Sequence, residues 1–167
     1  MLSIPSLPHA IVLGLIGLLI WAVICDFTSL RIPNRLPLAV ALLFAAYATA
    51  APGAVDWLGG LLMAMIVFVV ATVLFHFRVM GGGDVKLMAA VALWAGPQGI
   101  LGFLLITSLV GGLLALIAIT PLRFVFAEAV AALGGAKAVR GAFRGVVPYG
   151  IAIAAGGLFV ASSLMGA

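Results

Sequence analysis

The chain has 167 residues, of which 66% are hydrophobic and 7% charged, with a formal net charge of +4. A soluble domain carries charge on about a quarter of its residues, so this chain has too little polar surface to cover a globule in water, and composition points to a polytopic helical membrane protein. The small positive charge is spread along the chain and does not ask for nucleic acid, and a single cysteine, Cys25, excludes an internal disulfide and a cysteine-based zinc site.

In chain order, the first apolar run covers about residues 10–25 and ends at Asp26. It has no positive stretch before it, and positive charges follow it, so an uncleaved first helix is expected rather than a signal peptide. The second run covers about 36–51 and ends before Pro52-Gly53, and the third covers about 57–77. A glycine loop follows, then a fourth run at about 85–95, the break "GPQG" at 96–99, and a fifth run at about 100–120 that ends before Pro121. A polar-speckled stretch, 121–146, precedes the last run at about 147–165. A bilayer-crossing helix needs roughly 20 residues, so the second and fourth runs are short; they cross with help from flanking residues or begin inside a recess. The apolar stretch from Leu87 to Leu122 is too long for one helix and is divided by Gly-Pro. The expectation is an all-α, single-domain membrane protein of six transmembrane helices spanning residues 1–167.

The basic residues support this count. Arg31 and Arg35 follow the first run, Arg78 and Lys86 flank the junction of the third and fourth, and Arg123, Lys137, Arg140 and Arg144 lie between the fifth and sixth. Cytoplasmic loops collect Lys and Arg. The first, third and fifth connections are therefore expected in the cytoplasm, with both termini on the other side.

The chain holds only four acids: Asp26, Asp56, Asp84 and Glu128. Asp56, before Trp57, reads as a helix-start residue on the opposite face. Glu128 reads as part of a solvated, amphipathic segment in the 121–146 loop. Asp26 closes the first run and Asp84 opens the fourth, so the topology brings both to one membrane edge. Each has a bland reading as well: Asp26 in a membrane-surface turn with Arg31, Pro33, Asn34 and Arg35, and Asp84 as a helix cap after a flexible Gly81-Gly82-Gly83 turn. Acids at a membrane are costly and usually functional. Two close carboxylates tend to share a proton, so one can take a proton from an attacking water while the other polarises a peptide carbonyl and protonates the leaving amine. Such chemistry requires no cofactor and no metal; His9 and His76 lie far apart in sequence and form no ligand motif. The competing reading is a small ion-coupled transporter that uses the same acid pair.

Three stretches resemble signatures of one family, the prepilin peptidases. "DFTSLRIPN" at 26–34 is similar to their first signature, "GGGDVKL" at 81–87 to the Gly-x-Gly-Asp-x-Lys second signature, and "VPYGIAIAAGG" at 147–157 to the opening of their last helix. The resemblance implies a multi-pass aspartic endopeptidase of the bacterial cytoplasmic (inner) membrane. Such enzymes remove the short basic leader of type IV prepilins and pilin-like precursors at the cytoplasmic face. By position, Asp26 and Asp84 match the two catalytic aspartates. Arg31, Pro33, Asn34, Gly81, Gly83 and Lys86 match signature positions that support the site; Lys86 either tunes Asp84 or anchors the helix at the headgroups. Pro148, Tyr149 and Gly150 match the third signature and are expected to pack. With one cysteine and almost no residues before the first run, the chain is similar to the short, peptidase-only subgroup that serves tight-adherence (Flp-type) pili, so N-methyltransferase activity is not expected. The implied partners are a prepilin or pseudopilin precursor, the lipid bilayer and other pilus-assembly proteins.

Overall fold

The computed structural model describes residues 7–51, 55–121 and 149–166. The expectations made for Pro52-Gly53, for Glu128, for Arg123, Lys137, Arg140 and Arg144, for most of the 121–146 loop and for Pro148 lie outside the described residues.

The described residues form the helices α1 (Leu7–Ser29), α2 (Arg35–Ala50), α3 (Trp57–His76), α4 (Gly82–Ile119) and α5 (Tyr149–Met165). Of these, α1, α3 and α4 are long and apolar enough to cross a membrane, while α2 and α5 are apolar but shorter. At 1.5 Å per residue the 16 residues of α2 reach about 24 Å, below the roughly 30 Å of a bilayer core. Large apolar side chains cover the outside; on α3 alone Leu62, Met65, Val69 and Val73 are exposed. Such a surface suits lipid, not water.

Small residues decide how α3 packs. It buries only Gly60, Ala64, Val67 and Ala71, one stripe at helical spacing. A Cβ at Gly60 would sit 2.6 Å from the Leu93 carbonyl oxygen, so α3 and α4 meet backbone to backbone. Small-residue seams of this kind hold helices together where lipid removes the hydrophobic driving force.

The expected break in the long apolar stretch is present. Gly96 adopts φ 55 and ψ −174 inside α4, with Pro97 after it. Positive φ favours glycine, and proline lacks the N–H that an unbroken helix would need. The contacts show that the chain doubles back there. Val91, before the break, lies against Gly157, whereas after it Gly102 lies against Phe159 and Gly111 against Tyr149 and Ala152. The two arms of α4 thus run in opposite directions along α5.

Two ends result. At one, the ends of α1 and α3 meet the starts of α2, α4 and α5. At the other, Tyr47, Asp56, Gly96, Pro97 and Leu164 gather around a small cavity. The Trp94 indole donates to the Val40 carbonyl at 3.0 Å, and its ring packs against Phe44 and Tyr47. Asp56 caps α3 as expected, accepting from Gly59 N–H at 2.8 Å. Asp56→Ala is expected to lower stability by about 1 kcal/mol, read as a lower unfolding midpoint in detergent, with no change in any activity seated at the opposite end.

Two boundaries differ from expectation. Asp26 does not close the first helix: α1 runs one turn further, to Ser29. The Thr28 and Ser29 hydroxyls bond back to the Ile24 and Cys25 carbonyls at 2.7 and 2.6 Å, so these polar residues stay compatible with helix. Nor do the glycines form a loop. Gly81 is the N-cap of α4, and Gly82 and Gly83 are already helical. A Cβ on Gly83 would lie 2.9 Å from the Ile32 carbonyl oxygen, so glycine serves here for close packing rather than flexibility. Cys25 is half-buried against the core.

Candidate active site

Asp26 belongs to the buried seam of α1. Val12, Leu15, Leu19, Ala22 and Asp26 recur every three or four residues and face inward, so helix periodicity itself carries the carboxyl group into the molecule. Asp26 is only 5% exposed. A buried carboxylate needs hydrogen-bond donors, and Asp26 Oδ2 accepts from the Gly150 backbone N–H at 2.8 Å. That donor is in the first turn of α5, where backbone N–H groups have no helical partner. Gly150 also makes room: a Cβ there would stand 2.7 Å from Asp26 Oδ2 and 2.9 Å from its Cβ. The third sequence match, expected only to pack, thus supplies a direct partner for Asp26.

Asp84 is the third residue of α4 and half-buried. Its Oδ2 accepts from the Gly81 N–H at 3.2 Å, the reach-back that acids make in a first helical turn. Asp26 and Asp84 line the same cavity, about 700 Å³ in volume, together with Leu30, His76, Arg78 and Tyr149. They also share a smaller adjoining one of about 200 Å³ with Arg31, Ile32 and Gly81–Gly83.

The segment between α1 and α2 is clamped onto the start of α4. Ile32 is buried against Gly83. The Lys86 ammonium donates to Asn34 Oδ1 at 2.9 Å, which ties the second sequence match to the first. Lys86 therefore engages Asn34, the N-cap of α2. The Pro33 carbonyl accepts from Leu36 N–H at 3.0 Å and starts α2, while Arg31 is exposed at the lip of the smaller cavity.

Leu30, Arg78 and His76 escaped the sequence reading as site residues. Leu30 and Arg78 have φ of 51 and 59, and among the described residues they are the only non-glycines with positive φ. Each costs about 1–2 kcal/mol relative to ordinary backbone. They end α1 and α3: Leu30 N–H donates to the Asp26 carbonyl at 2.8 Å, and Arg78 N–H to the Phe75 carbonyl at 2.9 Å. In sequence Arg78 is one more loop charge, and nothing in its neighbours announces a left-handed residue.

Chemically, the site offers two carboxyl groups on one cavity of about 700 Å³, each held by a backbone N–H, at the end of a lipid-facing helix bundle. No curated protein and no solved structure matches the chain. The model of the type IV leader peptidase family matches residues 13–116, which include Asp26, Asp84 and both segments that carry them. The helical, lipid-facing fold and a match over most of its length make this chain a member of the type IV leader peptidase family, a membrane-protease family.

Proposed function

We propose that the chain cleaves the leader from type IV prepilins, of the Flp type, at the cytoplasmic face of the bacterial inner membrane, with Asp26 and Asp84 as the catalytic pair. The observation that carries this reading is the shared cavity: two acids 58 positions apart in sequence open onto one space. A water between them adds its oxygen to the scissile carbonyl carbon as one aspartate takes its proton. The other aspartate donates to the carbonyl oxygen, and a proton then passes to the amine nitrogen as the C–N bond breaks. No covalent intermediate forms. Asn34, Gly83 and Lys86 support the site by locking the 30–34 segment to the start of α4, Gly81 by holding Asp84, Pro33 by starting α2, and Arg31 from the lip of the smaller cavity.

Substrate geometry fits the same end. A prepilin joins a short basic leader to an apolar helix. With that helix in the bilayer and the leader in water, the scissile bond falls at the membrane edge. The charge pattern supports a six-span topology with the connections after α1 and α3, and with them the cavity, on the cytoplasmic side. Family membership favours this reading over ion-coupled transport by the same acids. Co-expression with an Flp-type prepilin tests it. A shift of the precursor to the mature size on a gel is expected with the wild-type chain, and persistence of unprocessed precursor overturns the reading.

A further inference from the structure

We infer that Leu30 and Arg78 hold the unwound segment of the precursor across Asp26 and Asp84, Arg78 by donating hydrogen bonds to its peptide carbonyls and Leu30 by packing against it; this inference rests on the peptidase reading above. Both residues sit where a helix ends in left-handed backbone, a place glycine fills with least strain. The chain has 21 glycines, yet it places a leucine and an arginine at these two positions. Both line the cavity that holds the two aspartates. Non-glycine strain gathered at one cavity marks side chains kept for what they touch.

The chemistry of the substrate says what that is. A helix cannot present a peptide bond to attack until it is unwound, and unwinding at a membrane edge strips carbonyl oxygens of their donors. Arg78 is exposed, and its guanidinium has no partner among the described residues. It offers five N–H donors in a fixed fork. Leu30, half-buried on the other lip, adds apolar contact. Neither residue touches the reacting atoms; they are positioning residues.

Glycine substitution separates this role from a structural one, because glycine relieves the strain while removing the side chain. Purified Leu30→Gly, Arg78→Gly and Arg78→Lys proteins in detergent micelles would be titrated with full-length prepilin. The glycine variants are expected to unfold at the wild-type temperature or above. Arg78→Gly is expected to raise KM about tenfold, with kcat changed less than about twofold. Arg78→Lys restores part of the loss, since an ammonium still donates. Leu30→Gly raises KM about fivefold. Unchanged KM in both glycine variants, beside a wild type that cleaves and an Asp84→Asn protein that does not, overturns this inference and leaves the peptidase reading standing. A raised KM that tracks a lowered unfolding temperature also overturns it. A wild type that does not cleave, or an Asp84→Asn protein that does, overturns both.

Discussion

Asp84→Asn and Asp26→Asn are each expected to slow prepilin cleavage by a factor of about 10² to 10⁴, while the protein still inserts in the membrane. Asparagine keeps the shape of aspartate and keeps an oxygen that can accept from Gly150 N–H or Gly81 N–H, so the local fold is retained. What it loses is the ability to take up and release a proton at the working oxygen. The two aspartates act on one water, so the double variant should be little worse than either single one. Processing on a gel, normalised to the amount of enzyme in the membrane fraction, reads the effect. Either single variant cleaving at more than about a tenth of the wild-type rate would remove that residue from the catalytic pair.

Gly150→Ala carries the second large effect. The added methyl would meet Asp26 Oδ2 at 2.7 Å and Asp26 Cβ at 2.9 Å. Asp26 is buried and part of a packed seam, so it cannot swing aside without disturbing α1. Either its carboxylate moves, or the start of α5 lifts and the 2.8 Å hydrogen bond opens. Misplacing a catalytic group by about 1 Å costs up to about 10²-fold, and a loss of about ten- to a hundredfold is expected. Gly83→Ala acts on the other acid: its Cβ would press on the Ile32 carbonyl at 2.9 Å, forcing the start of α4 away from the 30–34 segment. Gly112→Ala is the control, since nothing lies within 4 Å of a Cβ there; it should cleave as the wild type does. Equal activity of Gly150→Ala and Gly112→Ala would show that Asp26 does not need its present position.

Much of the frame is legible in the amino-acid order because it depends on local physics. Apolar runs mark the helices, and Gly96-Pro97 marks the break in α4, since positive φ and a missing N–H are properties of those two residues alone. The inward seam of α1 is not legible in this way, because the helix is apolar on every side and only packing decides that Val12, Leu15, Leu19, Ala22 and Asp26 face in. The helix ends were less legible. Thr28 and Ser29 look like turn residues, but their hydroxyls satisfy themselves on the preceding carbonyls.

What the amino-acid order determined by itself, then, is a lipid-facing helical chain with two aspartates beside recognisable short motifs. Only the tertiary structure decided how those motifs meet. The Lys86–Asn34 hydrogen bond, the Ile32–Gly83 contact and the Gly150–Asp26 pairing join residues 52, 51 and 124 positions apart. No local propensity encodes such contacts, because they arise when buried faces of different helices find a common fit. The same holds for Leu30 and Arg78: their left-handed backbone is imposed by the helix ends they complete and the cavity they line, not by their own preference.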